Sequence, residues 1–433
     1  MKNFLNNFIF PILLKVINSK VLLAIKDGIL YVMPLTIVGA IFLLLTNFPY
    51  TPVVDFLKNV HLYEAFRQGA WSTYDIMALV ASVTIAHEYV KSEGIKGSLT
   101  AGLISLVTFL IIQNQFIVKD GVNLYGVLDK AWLGGKGMIA AILIGIFVGY
   151  IYSWFLKRDI RIKLPESVPE GVSNAFNGLI PSLVIFFIAT FIYAIFNYAW
   201  DMTFIEAIYR VLQVPLQGMT DSLPGVIAVA FITPFLWFFG IHGAGIVAGV
   251  MNPIFLTNMT DNAAVIASGA DLTLQNGHIV TIQFSELFLT MTGSGITIGI
   301  VVFMLFFAKS AQNKEIGKLS AIPMLFNINE PILFGTPVVL NPLLAIPFIL
   351  MPVISAIITY YSLSWGLVPL FTGITVPWTT PPLISGFIAA GWRGALLQLV
   401  IIVISCLFYY PFIRRVDRLN LETEKAGAQA GSK

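Results

Sequence analysis

The sequence predicts an all-α integral membrane protein, and three observations carry that prediction. Hydrophobic residues make up 57% of the 433-residue chain and charged residues only 11%, with a mean hydropathy of +0.86. Long, nearly uncharged runs recur, the clearest over 29–48, 139–156, 179–200, 225–240, 284–307, 342–361 and 383–410, with weaker ones over 74–89 and 98–116. About 20 apolar residues in a helix span a hydrocarbon core of roughly 30 Å. The runs end in aromatic residues suited to membrane interfaces, and they lack the period-two alternation of a membrane barrel.

Charge orients these runs. Basic residues cluster in short connections: Lys157, Arg158, Arg161 and Lys163; Lys309, Lys314 and Lys318; Arg414, Arg415 and Arg418. Such an excess marks the cytoplasmic side. Lys2, Lys15, Lys20 and Lys26 place the N-terminus there too, so both termini are predicted cytoplasmic. Residues 1–26 read as an amphipathic surface helix, because no short apolar core with a small-residue cleavage site follows the charges. The net charge of +3 carries no nucleic-acid message.

Cysteine and histidine usage excludes several chemistries. Cys406 is the only cysteine and sits in an apolar run, so neither an internal disulfide nor a reactive thiol is expected. No histidine pair has metal-ligand spacing, so no metal or other cofactor is expected. No phosphate loop, nucleophile elbow or dinucleotide fingerprint is present.

The chain reads as two halves. Residues 1–200 form a bundle of about five ordinary helices. The polar loop 160–177 is either a docking surface for a soluble partner or a plain connection. Residues 201–433 differ, because Gly, Pro, Asn and Thr interrupt the apolar runs near 239–245, 321–342 and 363–382. Broken backbone at membrane depth survives only where protein buries it or where it lines a polar cavity. Interrupted segments therefore point to a transporter's substrate site. Counting crossings puts Lys309–Lys318 outside, whereas its charge puts it inside. Charge is the stronger guide, so a re-entrant or half-crossing element is expected between Ser222 and Gln283.

Within this half, Glu330 stands out. It lies in Asn327-Ile328-Asn329-Glu330-Pro331, bracketed by Pro323, Pro331, Pro337 and Pro342. An isolated carboxylate in lipid is costly and marks function by default. Its natural task is to accept hydrogen bonds from substrate hydroxyls, with the Asn327 and Asn329 amides beside it. Satisfying backbone donors at the break is the plainer alternative. His242, in Gly240-Ile241-His242-Gly243, has glycines that let backbone approach a ligand, although a lone histidine also serves as a satisfied core residue. Trp378, in Pro377-Trp378-Thr379-Thr380-Pro381, offers an indole face to the C–H face of a pyranose. It could equally belong to an interfacial belt. Trp237 either lines the same cavity or faces lipid.

Together, Asn329-Glu330-Pro331-Ile332, Gly240-Ile241-His242-Gly243 and Trp378-Thr379-Thr380-Pro381, in that spacing, resemble the membrane (IIC) component of bacterial phosphoenolpyruvate-dependent sugar phosphotransferase systems. With Leu164-Pro165-Glu166-Ser167-Val168-Pro169 and the chain length, the lactose/cellobiose/diacetylchitobiose branch is most similar. The resemblance implies about ten transmembrane helices in two subdomains, with re-entrant hairpins in the C-terminal half. It implies a homodimer joined through the N-terminal half and a mobile C-terminal sugar domain in the inner membrane. Glu330 and His242 would lie beside the hydroxyl to be phosphorylated. Trp378 would stack on a sugar ring, with Thr379, Trp237 and Gly243 completing the lining. The donor would be a phosphocysteine on a separate IIB protein, charged through IIA and HPr, so this chain would do no phosphoryl chemistry alone.

The main alternative is an ion-coupled secondary sugar transporter, which uses similar broken helices. It would need further intramembrane acids, and only Glu286 and Asp221 stand near spans in this half. A transferase acting on lipid-linked substrates would need an acidic cluster that the sequence lacks.

Overall fold

A computed structural model describes residues 19–46, 51–119, 122–165, 168–239, 243–336, 338 and 341–430. Most of the surface helix expected over 1–26 lies outside them, as do His242 and the centre of the 164–169 motif. Among the described residues, four helices are long and apolar enough to cross a membrane: Gly135–Lys157, Leu179–Trp200, Pro342–Ser364 and Ile384–Ala426. The apolar stretch 204–238 would add a fifth if its two helices count as one.

The chain divides into two compact units, 1–218 with 248–260, and 219–247 with 261–433. The first contains α1 (Lys20–Leu30), α2 (Met33–Thr46), α3 (Thr51–Asn59), α4 (Tyr63–Tyr74), α5 (Met77–Ser92) and α6 (Ser98–Ile111). An antiparallel hairpin follows, β1 (Phe116–Lys119) and β2 (Val122–Tyr125). Then come α7 (Met138–Lys157), α8 (Glu170–Asn177), α9 (Leu179–Trp200), α10 (Phe204–Ile208) and α11 (Val214–Thr220).

The core of this unit is α5, which packs on α1, α6 and α7. Gly145 and Gly149, one turn apart on α7, lie against Ile85 and Tyr89 of α5, and a Cβ at either would clash at 2.9 and 2.8 Å. Lipid supplies no hydrophobic drive between helices, so close approach over small residues stabilises the pair instead. Where α1 begins and α5 and α7 end, Glu93 pairs with both Lys20 and Lys157.

The second unit begins with α12 (Leu223–Phe238), whose Ser222 cap accepts from Gly225 N at 3.2 Å. Helix α13 (Gly243–Ala267) has its middle, 248–260, in the first unit and its last turns in the second. The region 222–283, expected to hold a re-entrant or half-crossing element, is thus helical over Leu223–Phe238 and Gly243–Ala267, and the apolar stretch 204–238 breaks at Asp221 and Ser222.

The run 284–307, expected as one span, is instead broken. Ser285–Leu289 is π-helical, 290–297 is a turn, and α14 covers Ile298–Phe306. Gly293 and Gly295 both take φ +87°, and a Cβ on Gly295 would meet Phe348 at 2.3 Å. The wider π turn leaves carbonyls without their usual partners. Distant side chains supply them: Ser355 Oγ donates to Phe288 O (2.6 Å) and Gln398 Nε2 to Leu287 O (2.9 Å).

Four more helices complete this unit: α15 (Ala311–Leu325), α16 (Glu330–Gly335), α17 (Pro342–Ser364) and α18 (Ile384–Ala430). Helix α18 is interrupted at Ala390 and Gly391, the latter at φ +65°. Helix α15 starts where Asp417 accepts from Lys309 N, Ser310 N and Asn313 Nδ2, and Glu424 accepts from Ala311 N and Gln312 N. Carboxylates there satisfy the donors a helix start leaves open.

His278, in the irregular segment 268–281, lies between two carboxylates. Its Nδ1 is 2.9 Å from Asp221 and its Nε2 3.4 Å from Asp261. Burial alone would lower its pKa, but these two hydrogen bonds outweigh burial and raise it from 6.5 to about 9. A raised pKa stabilises the fold fully below the unfolded value, and that stability is lost as pH rises through the folded one.

Two outcomes follow for the purified protein in detergent. The melting temperature should fall between pH 6.5 and 9 by more in the parent than in His278→Gln; equal falls would mean the cluster contributes nothing. Gly295→Ala should destabilise by about 2 kcal/mol or more through strain and clash, whereas Gly171→Ala, in open space, should be neutral. Equal melting of the two variants would contradict the packing described.

Candidate functional site

The site is built where two irregular segments of the second unit meet. The first joins α15 to α16. Pro323 is the last proline of α15, and Pro331 sits in the first turn of α16. Between them Asn327 takes φ +63°, a left-handed conformation that asparagine tolerates better than most residues. Phe326, Asn327 and Ile328 donate their N–H groups back to Pro323 O or Met324 O, closing α15. Glu330 then opens α16 with its side chain exposed.

The second segment, 365–383, is tied to other elements by side-chain amides. Asn262 Nδ2 donates to Phe371 O (2.9 Å), and Gln283 Nε2 donates to Ile374 O. Gln398 Oε1 accepts from Leu383 N (2.6 Å) and Gly386 N (2.9 Å). The rings of Phe288 and Phe371 stack at 5.2 Å. On this segment Trp378 is 41% exposed and Thr379 is exposed beside it.

The two asparagines expected to meet a ligand are placed differently. Asn327 is 7% exposed and Asn329 4%. Asn327 Nδ2 donates to Trp378 O (2.5 Å) and Thr380 O (3.0 Å), and its Oδ1 accepts from Thr292 N (2.7 Å). Asn329 Nδ2 donates to Ser294 O (2.8 Å) and Thr297 Oγ1 (2.9 Å). Their amides therefore satisfy broken backbone, while Glu330, Trp378 and Thr379 are left facing outward.

Of the upstream candidates, Gly243 opens α13 and Trp237 lies near the end of α12. Trp237 is buried on that helix. Gly243 lies so close to Thr233 that a Cβ would sit 2.1 Å from the carbonyl oxygen. Thr233 also lines a small cavity with Ser285, Thr290, Ser294, Gly295 and Pro352. The neighbours of Gly243 and of Asn329 thus form two walls of one hydroxyl-bearing cavity. Glu330 and Trp378 do not line it.

Sequence reading missed the supporting residues Thr292, Ser294, Thr297, Gln283 and Gln398. The signal was present in part, since Thr292-Gly293-Ser294-Gly295 interrupts an otherwise apolar run. Gln398 carried no local signal, because its partners lie 12 to 111 residues away.

The pattern of the family described as "Phosphotransferase system, EIIC" matches residues 26–352. The PTS system cellobiose-specific EIIC component of Geobacillus stearothermophilus is 36% identical, over 98% of this chain and 95% of its own length. The Lichenan permease IIC component of Bacillus subtilis (strain 168) is 35% identical, over 96% and 93%. The crystal structure of the transporter ChbC, the IIC component from the N,N'-diacetylchitobiose-specific phosphotransferase system, superposes with a TM-score of 0.92 at 36% identity, covering 98% of this chain and 99% of that one. With this match across most of its length, the chain belongs to the EIIC family of phosphotransferase-system membrane components.

Proposed function

We propose that the chain is the sugar-translocating IIC permease of a phosphotransferase system and binds a β-linked disaccharide of the cellobiose or diacetylchitobiose type. The observation that carries this reading is the exposed Glu330 carboxylate at a helix break, joined through buried Asn327 to the segment bearing exposed Trp378. Relatives named for cellobiose, lichenan and diacetylchitobiose support the sugar class.

In this reading Glu330 accepts a hydrogen bond from the hydroxyl to be phosphorylated, and His242 is its partner in that task. Charge-assisted hydrogen bonds are the strong ones, so the carboxylate fixes the orientation of that hydroxyl. Trp378 presents its indole to a pyranose face, and Thr379, Trp237 and Gly243 complete the lining. The phosphoryl donor is a phosphocysteine on a separate IIB protein, supplied through IIA and HPr. As the donor's S–P bond breaks, a bond forms from the sugar 6-oxygen to phosphorus, and the hydroxyl proton passes toward Glu330 or His242. The product is anionic and does not return across lipid, where a charge is costly.

The chain in this account crosses the inner membrane about ten times, with both termini cytoplasmic. It forms a homodimer through residues 1–200. Residues 201–433, with re-entrant hairpins near 321–342 and 363–382, carry the sugar inward as a body. Rigid-body movement of one bundle against another is the general transporter solution.

Glu330→Gln keeps the shape of the side chain and removes its charge. Sugar affinity by calorimetry, and uptake by vesicles containing the phosphorylated partner, should each fall about tenfold or more, the equivalent of one charge-assisted hydrogen bond. Unchanged affinity and uptake in that variant would remove Glu330 from the site.

A further inference from the structure

Glu330 and Trp378 stand on segments far apart in sequence, and a ligand touching both requires those segments to keep a fixed separation. We propose that Asn327 is the latch that sets this separation, a positioning residue acting through the Trp378 segment and not a sugar ligand. This rests on the reading of Glu330 and Trp378 as the sugar site.

The geometry is specific to asparagine. A primary amide offers two N–H donors and two acceptor lone pairs. Asn327 uses both donors on the backbone of one segment, at Trp378 O and Thr380 O, and one acceptor on a second, at Thr292 N. Three of its four bonding positions are thereby taken. The side chain is 7% exposed, which leaves little surface for a sugar. Its own backbone, at φ +63°, belongs to a third segment, the one that continues directly into Glu330.

No other residue reproduces this set. Glycine would keep the left-handed backbone and lose all three bonds. Aspartate would keep the length, but its ionised carboxylate would face two carbonyl oxygens as a third acceptor. Glutamine would push the amide one methylene too far. Asn329 makes the companion tie, from the same segment to Ser294 O and Thr297 Oγ1. Of these two asparagines it is Asn327 that bonds to the Trp378 segment, at Trp378 O and Thr380 O.

If Asn327 acts by placing Trp378, its effect on sugar binding depends on that indole being present. Residues coupled in this way are non-additive, and a double-mutant cycle measures the failure of additivity. The experiment is calorimetry of cellobiose and diacetylchitobiose on the full chain, in the parent, Asn327→Gly, Trp378→Ala and the double variant. Asn327→Gly should weaken the better sugar about tenfold in the parent and less than about twofold in the Trp378→Ala background.

Equal fold-losses in the two backgrounds would overturn the proposal and leave Asn327 as a direct ligand or a general structural residue. Trp378→Ala with parental affinity would overturn the sugar-site reading of the indole, and the latch with it. Asn327→Asp provides a second arm should the glycine variant fail to fold. Its carboxyl regains one donor when protonated, so its affinity relative to the parent at the same pH should recover in part as pH is lowered. A pH-independent loss would contradict the latch.

Discussion

A helix interrupted inside an apolar bundle exposes backbone N–H and C=O groups that water cannot reach, and leaving each unpaired costs several kcal/mol. The second unit is organised around that constraint. Asn262, Gln283, Asn327, Asn329 and Gln398 each lend a side-chain amide to a backbone group on another segment. A neutral amide suits this task because it donates and accepts at once without the desolvation cost of a charge. Ser355, Ser405 and Tyr409 add hydroxyl donors to Phe288 O, Ile296 O and Gly295 O. Remove these polar side chains and the breaks could not persist at membrane depth.

The breaks in turn allow an outward-facing carboxylate. In a continuous helix Glu330 would face lipid or a packed neighbour. At the start of a six-residue helix after a left-handed turn, it is exposed instead. The same arrangement frees Trp378 and Thr379 from packing. A disaccharide presents many hydroxyls together with apolar ring faces, and its transfer from water requires both to be matched. Under the proposed function, one carboxylate and one indole on mutually tied segments would supply part of that match, a hydroxyl partner and a ring face.

Much of this was legible in the sequence, for physical reasons. Composition and run length determine the membrane class. Prolines 323 and 331 around Glu330 mark a break, because proline removes a donor and clashes with the preceding turn. The break at 290–297 was not read, because Thr292 to Thr297 is short and the run that follows it, 298–308, is apolar. The direction of the asparagine amides could not be read at all. Whether an amide meets ligand or backbone depends on partners 32 to 53 residues away, which spacing along one segment does not encode. Asn, Thr and Asp are frequent over 252–283, which suggested a re-entrant or half-crossing element in this part of the chain. Burial of Thr257, Asn258 and Asn262 on α13 accounts for that polarity in a helix.

The central claim is that broken, amide-supported segments form a sugar site served by a phosphorelay. Its most direct test is uptake of labelled cellobiose and diacetylchitobiose into vesicles containing this chain, with and without the phosphorylated IIB partner inside. The account predicts sugar phosphate accumulating only when that partner is present. Accumulation of unmodified sugar, driven by a proton or sodium gradient and indifferent to the partner, would contradict it.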